Sequence, residues 1–250
     1  MPHADAAPVL VFDLDETILR VNSFPLWVGW LIGGRLPGLG WRRRAALSLQ
    51  VQWLVLRRKS GRIDHDRFLR GVQRTWRDAT GDHAEAMAAP FQAALLRQVR
   101  DNMQKLLAAV AQDHLDAVLA TAAAADYADG LARMLGFQHA LTTAFDDAPA
   151  ARRNAGETKR DRVLALLREL DWHLRPILLF TDHGDDLPLI RRSSAVCWFG
   201  SMRTMTAAQD AVPGATFVAC AAMDADALLA TLLALGMPRQ AAMRSEITVS

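Results

Sequence analysis

The chain has 250 residues, enough for one sizeable domain or for a domain with a smaller insert. Its apolar fraction of 51% excludes wholesale disorder, and a formal net charge of +2 gives no general reason to bind a polyanion. The two cysteines, Cys197 and Cys220, lie in apolar surroundings and have no metal-ligand spacing, which favours buried thiols in a reducing cytosol. Residues 1–8 hold no Lys or Arg ahead of an apolar stretch, so we expect no secretory signal and a cytoplasmic protein.

The first apolar run, residues 9–12, leads directly into Asp13 and Asp15. Such a run predicts a strand buried on both faces of a parallel sheet, and such sheets bind ligands beyond the carboxyl ends of their strands. Residues two apart in extended chain point the same way, so both carboxylates would face one spot. They repel each other unless one is protonated or a hard cation such as Mg²⁺ lies between them. Taken alone, the pair fits a turn or a helix cap equally well.

The next segment, residues 18–63, contains no Asp or Glu but nine basic residues and four of the seven tryptophans. Two apolar stretches, residues 24–32 and 45–56, flank a Gly/Pro-rich link at residues 33–40. Both stretches are too short to span a bilayer, which takes roughly 20 apolar residues, and both are compatible with helices.

Three interpretations of this basic segment stay open. It is an ordinary helical subdomain with Trp and Leu packed inward, or an interfacial patch that sets Trp at the lipid headgroups and Arg against anionic lipid. A groove for nucleic acid also interleaves basic and aromatic residues, but no nucleic-acid module signature accompanies the segment here, so we expect no nucleic-acid partner.

Apolar residues at three- and four-residue spacing predict helices between residues 61 and 98, with a break at Gly81 and a restart at Pro90, and a further helix from Asn102 to about Gln112. The histidines of this region, His65, His83 and His114, stand alone in the sequence. We interpret each as a surface or capping residue.

Two residues of the following region suit an anion. The apolar run at residues 117–120 predicts a strand that ends at Thr121 and leads into an Ala-rich helix; its hydroxyl is placed either to bind an anion or simply to cap that helix. Lys159 stands at the predicted start of an amphipathic helix over residues 160–170, where the helix dipole disfavours a cation, which hints at an anionic partner.

A third buried strand, residues 177–180, leads into the carboxylates Asp182, Asp185 and Asp186, and later strands are predicted at residues 195–199 and 216–220. Strands and helices alternate through this half, which predicts an α/β fold with a parallel sheet and helices on both faces. Residues 237–250 lack periodicity, and we expect a flexible tail there.

Together these strand-end residues resemble the haloacid dehalogenase-like phosphohydrolase superfamily. Asp13-Leu14-Asp15-Glu16-Thr17 matches its first motif and Asp182-His183-Gly184-Asp185-Asp186 its fourth, while Thr121 and Lys159 match the second and third. The resemblance covers residues 8–200 and implies a doubly wound, Rossmann-like core. The helical insert looks like the C1 cap of subfamily IB, the phosphoserine-phosphatase-like subgroup. We therefore predict a core at residues 1–18 and 98–236 and a cap at residues 19–97.

The resemblance also implies roles for these residues. Asp13 would attack phosphorus and form an aspartyl phosphate, Asp15 would act as general acid and base, and Thr121 and Lys159 would bind the phosphoryl oxygens. Asp13, the main-chain carbonyl of Asp15 and Asp182 would hold Mg²⁺. Asp185 and Asp186 would support the metal through bound water or by orienting its ligands.

Two departures from the family pattern affect the expected substrate. The family usually has Gly at the place of Glu16, although Glu also occurs in relatives. Phosphoserine phosphatases carry a carboxylate early in the cap, and here that segment has no acid, which counts against phosphoserine. Because Asp15, which the dehalogenase members lack, is present, phosphoryl chemistry is favoured.

We expect a Mg²⁺-dependent phosphatase for a lipid or other partly apolar phosphate, with residues 24–56 touching an anionic membrane at its inner face. The alternatives are a soluble sugar or nucleotide phosphatase and a catalytically silent phosphate-binding relative. Phospho-accepting receiver domains also combine strand-end Asp, Thr and Lys residues. They are about half this length, have adjacent metal-binding acids and lack the insert.

Overall fold

The structure is a computed structural model that describes residues 7–34, 36, 38–112, 115–145 and 152–237. Most of the predicted tail, residues 238–250, lies outside the described residues. Also outside the described residues are residues 1–6, for which we expect no secretory signal, residues 35 and 37 of the Gly/Pro-rich link, and His114.

The described chain contains one six-stranded sheet in which every neighbouring pair is parallel. Its strands are β1 (Val9–Phe12), β2 (Ala117–Ala124), β3 (His139–Thr143), β4 (Ile177–Thr181), β5 (Ala195–Trp198) and β6 (Thr216–Ala219). The spatial order β3-β2-β1-β4-β5-β6 confirms the predicted doubly wound sheet. The order reverses between β1 and β4, and the carboxyl ends at such a reversal form the crevice in which ligands bind.

The described residues also contain ten α-helices. They are α1 (Ser23–Ile32), α2 (Trp41–Lys59), α3 (His65–Thr80), α4 (Ala84–Leu96), α5 (Gln104–Ala111), α6 (Ala125–Met134), α7 (Gly156–Glu169), α8 (Leu187–Ile190), α9 (Met202–Ala211) and α10 (Ala225–Ala234).

The central strand β1 is apolar at every position because both faces of the sheet are covered. Leu10 and Phe12 pack into a large cluster shared with helices on one face. Val9 and Val11 pack into a second cluster on the other face, which includes Val163 of α7. All four β1 side chains are fully buried, which is why the strand reads as a continuous apolar run rather than an alternating one.

The helices α1 to α4 lie between β1 and β2 in the chain. The two connections that enter and leave this insert pair with each other as a short antiparallel bridge between Leu19 and Val99. On either side of that bridge, Arg20 N donates to Gln98 O at 2.8 Å and Arg100 N donates to Ile18 O at 2.9 Å. The division of the chain into a core at residues 1–18 and 98–236 and a cap at 19–97 stays a prediction.

Three element boundaries differ from those predicted from the sequence. β2 runs on to Ala124 because a register shift after Ala120 lets the strand pair again with β3 at Thr143. Pro90 lies inside α4 and does not start it, since buried Met87 and Ala88 extend the helix towards its N-terminus. α7 begins at Gly156, so Lys159 occupies its first turn rather than preceding it.

No helix among the described residues is both long enough and apolar enough to cross a membrane.

Candidate active site

The crevice between β1 and β4 holds the first predicted site residue. Asp13 follows β1 directly, and its backbone N–H donates to Phe180 O of β4 at 2.9 Å. This bond continues the ladder between β1 and β4 by one residue and places Asp13 at the reversal of strand order. A cavity of about 250 Å³ opens there. It is lined by Asp13, Asp15, Glu16, Asn22, Thr121, Ala122, Ala155, Lys159, Asp182, His183, Asp185 and Asp186.

All seven of the predicted site residues therefore line one cavity, although they come from four separate stretches of the chain. Parallel strands bring their carboxyl ends to the same edge of a sheet, so the segments after β1, β2 and β4 converge. Lys159 reaches the same edge from the first turn of α7.

An ion cluster forms the floor of the cavity. Lys159 Nζ donates to Asp13 Oδ1 at 2.9 Å and to both carboxylate oxygens of Asp186 at 2.8 Å. Thr181 Oγ1 donates to Asp186 Oδ2 at 2.6 Å. Asp186 is buried, and its carboxylate is bonded to Lys159 and Thr181. It therefore serves as the counter-ion of the Lys159 ammonium.

Burial in this place lowers the pKa of Lys159, but the nearby carboxylates of Asp13 and Asp186 outweigh it and raise that pKa above its ordinary value. Lys159 is therefore charged at every physiological pH. A permanent buried ammonium next to Asp13 is suited to neutralising an anion that enters the cavity.

Asp15 is held by the first turn of α1. Its Oδ1 accepts the backbone N–H of Ser23 at 2.8 Å, a bond that sets a carboxylate at the positive end of the helix. Behind it, Ser23 Oγ lies 2.7 Å from the hydroxyl of Tyr127, and both residues are fully buried. Burial raises the pKa of Asp15 to about 7, against the lowering effect of its bonds to Ser23. A carboxyl with that pKa is suited both to giving and to taking a proton at neutral pH.

Asp182 stands on the other side of the crevice. Its Oδ1 accepts from Thr17 Oγ1 at 3.3 Å, which joins the first and fourth motifs. Burial raises the pKa of Asp182 to about 7, and the carboxylates of Asp13 and Glu16 add to this effect. An oxygen-preferring divalent cation would offset the smaller part of this rise, which comes from the neighbouring carboxylates.

The donor set at this point fits such a cation in chemistry, since it offers carboxylate and carbonyl oxygens. No group of three or more His, Cys, Asp and Glu side chains among the described residues is arranged to hold a metal ion. The predicted ligands need only two side chains, Asp13 and Asp182, together with the main-chain carbonyl of Asp15. In this arrangement Asp186 is already committed to Lys159.

Thr121 lies where β2 loses its regular pairing with β3. Its side chain is buried, and its Oγ1 accepts the backbone N–H of Ala123 at 3.1 Å, so the hydroxyl hydrogen is left to point elsewhere. Asn154 fixes this turn from below, because its Nδ2 donates to Thr121 O at 3.1 Å and to Leu141 O at 2.7 Å.

Asp185 lies at the exposed edge of the cavity. Its backbone N–H donates to His183 Nδ1 at 3.1 Å, and its carboxylate is 3.8 Å from Arg153. The same guanidinium is 3.7 Å from Asp66 at the start of α3. Arg153 thus links the fourth-motif loop with the helical insert.

Glu16 adopts a left-handed backbone conformation, with φ of +56°. Glycine takes this conformation without steric cost, whereas another residue loses roughly 1–2 kcal/mol, which accounts for the glycine that the family usually carries here. Arg100 Nη2 donates to Glu16 O at 2.8 Å and helps to hold the turn.

Several residues of the site were not singled out from the sequence. They are Ser23, Tyr127, Asn154 and Thr181, all buried and hydrogen-bonded to predicted site residues or to each other. Only Asn22-Ser23, a helix-capping pair ahead of an apolar stretch, carries a local signal, since Asn22 accepts the backbone N–H of Phe24.

Residues 10–191 match the haloacid dehalogenase-like hydrolase family. No match was found among curated proteins.

Among solved structures, a protein of unknown function from Bordetella pertussis Tohama I is 18% identical, with a TM-score of 0.67 over 86% of this chain and 99% of that one. A probable phosphoserine phosphatase from Vibrio cholerae is 14% identical, with a TM-score of 0.55 over 99% of this chain and 70% of that one. A phosphoserine phosphatase solved as a phospho-aspartyl intermediate analogue is 9% identical, with a TM-score of 0.52 over 90% of this chain and 98% of that one. These likenesses show a shared fold.

Proposed function

The chain belongs to the haloacid dehalogenase-like hydrolases, and from this premise we propose that it hydrolyses phosphate monoesters through an aspartyl phosphate on Asp13. The observation that carries the proposal is the position of Asp13 at the reversal of strand order, beside the buried ammonium of Lys159. A nucleophile and a fixed positive charge at one point are what phosphoryl transfer requires.

In the first step, a carboxylate oxygen of Asp13 forms a bond to phosphorus while the bond from phosphorus to the ester oxygen breaks. Asp15 gives its proton to the departing alkoxide. In the second step, Asp15 takes a proton from water as that water attacks phosphorus, which frees Asp13 and releases phosphate. Ser23 N holds the Asp15 carboxylate in one orientation for both transfers.

Thr121 and Lys159 would neutralise the phosphoryl oxygens. The Thr121 hydroxyl, whose oxygen already accepts from Ala123 N, has its hydrogen free for an anionic oxygen. Lys159 is held towards the cavity by Asp186, which thereby orients the ammonium. Charge stabilisation by fixed groups of this kind is typically the largest contribution to such a reaction.

We further propose Mg²⁺ as the cofactor, held by Asp13, the main-chain carbonyl of Asp15 and Asp182, with Asp185 in a supporting position. When bound, the ion would offset the charge of the phosphoryl group and of the surrounding carboxylates. The raised pKa of Asp182, caused by burial and by Asp13, supports a cation at this place.

For the substrate, we propose a lipid or other partly apolar phosphate monoester. The support is the helical insert, which carries exposed Trp and Leu side chains and no acid between residues 18 and 63. Contact of residues 24–56 with an anionic membrane, from the cytoplasmic side, belongs to the same proposal. The alternative is a soluble sugar or nucleotide phosphate, which the polar lining of the cavity by Asn22, Glu16 and His183 would suit.

Hydrolysis of an aryl phosphate with and without Mg²⁺ tests the reaction. We expect activity that depends on Mg²⁺ and falls by at least about 10³-fold in Asp13→Asn, since the amide is no nucleophile. The matched control is Asp161→Asn, which changes an exposed carboxylate on α7. Full activity in Asp13→Asn would refute the aspartyl phosphate. A panel of lipid and soluble phosphate esters then identifies the substrate class, and no turnover of any ester would leave a silent phosphate-binding relative.

A further inference from the structure

The helix α2 exposes a stripe of large apolar side chains. Trp41, Leu49, Trp53 and Leu56 are 69%, 65%, 56% and 64% exposed, and they are the most exposed large hydrophobic residues of the helical insert. Their spacings of eight, four and three residues place them on one side of a helix. On the opposite side, Leu47 and Val51 are buried against the rest of the protein. α2 therefore has two apolar sides: one packs against the rest of the protein, and the other is exposed to solvent.

Basic residues border this stripe at both ends of the helix. They are Arg42, Arg43, Arg44, Arg57, Arg58 and Lys59, and α2 contains no acid. In the described part of the chain, no carboxylate forms a salt bridge with any of the six. Three of the arginines occupy the first turn, where the helix dipole disfavours a cation. The three cations of the last turn suit the helix dipole, so it is the arginine cluster of the first turn that does not serve the stability of the helix.

Two of the arginines are associated with the exposed rings. Arg57 lies over the ring of Trp53 at 4.5 Å, and Arg42 lies over the ring of Trp41 at 5.4 Å. A guanidinium above an indole presents a cation and a flat apolar surface at the same level. Tryptophan and arginine take such positions at the boundary between lipid headgroups and acyl chains.

We propose that this face of α2 docks on an anionic lipid bilayer, with the helix axis parallel to the surface. The stripe formed by Trp41, Leu49, Trp53 and Leu56 enters the boundary region. Arg42, Arg57 and Lys59 project on the same side of the helix and meet the negative headgroups. Charge complementarity selects this occupant. A second copy of the same face would set three cations against three, and a nucleic acid would leave Leu49 and Leu56 without an apolar partner.

The docking of α2 deepens the membrane contact of the proposed function by naming the face and its lipid class, and it does not depend on the phosphatase chemistry. α2 packs against α1 and α3, and α1 is the helix whose first backbone N–H holds Asp15. If both proposals hold, the docked protein would meet its phosphate ester at the membrane surface. Docking is measured without turnover, so the two proposals fail separately.

Flotation of the full-length protein with vesicles tests the docking. We expect it to float with vesicles rich in phosphatidylglycerol at about 0.1 M salt, and to stay behind with pure phosphatidylcholine or at about 1 M salt, because salt screens the charges. The triple variant Arg42→Gln, Arg57→Gln, Lys59→Gln should bind about 10²-fold more weakly, by the usual contribution of a cation near an anionic surface. The matched control, Arg191→Gln, Arg192→Gln, Arg203→Gln, removes three exposed cations from the part of the chain that carries the sheet. It should change binding less than about twofold.

A second variant separates the apolar contribution from the charge. Trp53→Ser with Leu56→Ser should weaken flotation by about tenfold at unchanged net charge, because both side chains lose their apolar insertion. Leu174→Ser, which changes a residue that is 59% exposed on the core, is its control. Both α2 variants should keep wild-type hydrolysis of an aryl phosphate, and Asp13→Asn should float like wild type.

Three results would overturn the proposal. The first is equal binding of the wild-type protein to neutral and anionic vesicles, or binding to neither. The second is a dimer in solution that the Trp53 and Leu56 variant converts to a monomer, which would make the face a contact between copies. The third is displacement from vesicles by an oligonucleotide that binds more tightly than lipid at about 0.15 M salt.

Discussion

Lys159 Nζ lies 2.9 Å from Asp13 Oδ1, so the side chain proposed to bind phosphate is also the resting partner of the proposed nucleophile. Asp186 contacts the same ammonium with both of its oxygens. The cluster therefore sets two carboxylates against one buried cation. An arriving phosphate would share this ammonium with Asp13, so the positive charge is already in place before the substrate enters.

Replacing Lys159 by Met should cost both stability and activity. Asp13 and Asp186 would be left facing each other in a buried site without a counter-charge. Breaking a buried pair in this way typically lowers the free energy of unfolding by about 3–5 kcal/mol. Urea unfolding measures this loss, and an aryl-phosphate assay on the remaining folded protein measures the loss of kcat/KM.

The contrast to this variant is Lys105→Met. Lys105 pairs with Asp226 at an exposed position, and an exposed pair typically contributes about 0–1 kcal/mol. Equal stability losses in Lys159→Met and Lys105→Met would contradict the view that the buried carboxylates of Asp13 and Asp186 need the Lys159 ammonium as their counter-charge.

Tyr127→Phe should reveal whether the chain behind Asp15 positions it. The change removes only the hydroxyl that lies 2.7 Å from Ser23 Oγ, and Ser23 N in turn holds Asp15. Because the Asp15 carboxyl would be less firmly oriented, we expect kcat to fall by about threefold to tenfold while KM stays the same. Loss of one buried hydrogen bond also costs about 1 kcal/mol of stability.

Steady-state kinetics at saturating Mg²⁺ separates the two effects. Ser23→Ala should resemble Tyr127→Phe, and Ser23→Thr, which keeps a hydroxyl, should recover most of kcat. The control is Thr206→Ala on α9, an exposed hydroxyl that bonds only to its own helix. A rise in KM with kcat unchanged would assign Tyr127 to substrate binding instead.

The sheet and the strand-end carboxylates were predictable because their signals are local. A fully apolar run such as residues 9–12 specifies a strand buried on both faces, and the residue after it must lie at the edge of the sheet. Alternation with helices predicts that the strands run parallel, although the order of the strands is known only from the structure. This is why the predicted parallel sheet is confirmed, and why Asp13, Thr121 and Asp182 converge.

The contacts within the site were not predictable to the same extent. Ser23 and Tyr127 are 104 positions apart in the sequence, and only Ser23, which follows the helix cap Asn22, carries a local signal. Asp185 and Asp186 are neighbours with the same side chain, yet Asp186 is buried against Lys159 and Asp185 is exposed. Only the direction of each side chain at the short turn after β4 separates their roles, and sequence spacing does not contain that direction.

Asp126 offers a test of how the helical insert is attached to the rest of the chain. Gln73 Nε2 of α3 donates to Asp126 Oδ2 at 2.6 Å and to Thr143 O at 2.8 Å. Burial raises the pKa of Asp126 to about 6, against the lowering effect of the Gln73 bond. In the unfolded chain the pKa is about 3.9, so the folded state favours the protonated acid.

The sign of the pH effect follows from this difference. The contribution of Asp126 to the free energy of unfolding is fully present below about pH 4. It is lost as the pH rises to about 6, because the folded protein must then ionise a buried acid. Asp126→Asn removes this cost and keeps an oxygen for Gln73. We expect it to be more stable than wild type by about 1–2 kcal/mol at pH 7 and equal to it near pH 4.

Urea unfolding at pH 4, 5, 6 and 7 measures the pH dependence of the difference. Asp78→Asn, an exposed change on α3, is the control and should leave that dependence as in wild type. A loss of stability in Asp126→Asn at pH 7 would show that the ionised carboxylate is needed by Gln73.

Gly200 tests the proposed metal site without touching a ligand side chain. A Cβ atom at Gly200, just after β5, would lie 2.2 Å from the carbonyl oxygen of Asp182 and 2.8 Å from Trp198 Nε1. Because the clashing atom belongs to the backbone, the clash can be relieved only by a shift of the chain at the end of β4, so Gly200→Ala should displace Asp182. A displacement near 1 Å typically lowers the rate by about 10²-fold, and we expect a higher Mg²⁺ requirement together with a loss of kcat/KM.

Gly184→Ala is the matched control. Gly184 lies two residues after Asp182, and an added Cβ there would meet no atom within 4 Å. A titration of activity against Mg²⁺ concentration should give the wild-type midpoint for Gly184→Ala and a higher midpoint for Gly200→Ala. If Gly200→Ala loses stability but keeps the wild-type midpoint, Asp182 does not hold the ion, because the substitution moves the backbone that places this carboxylate.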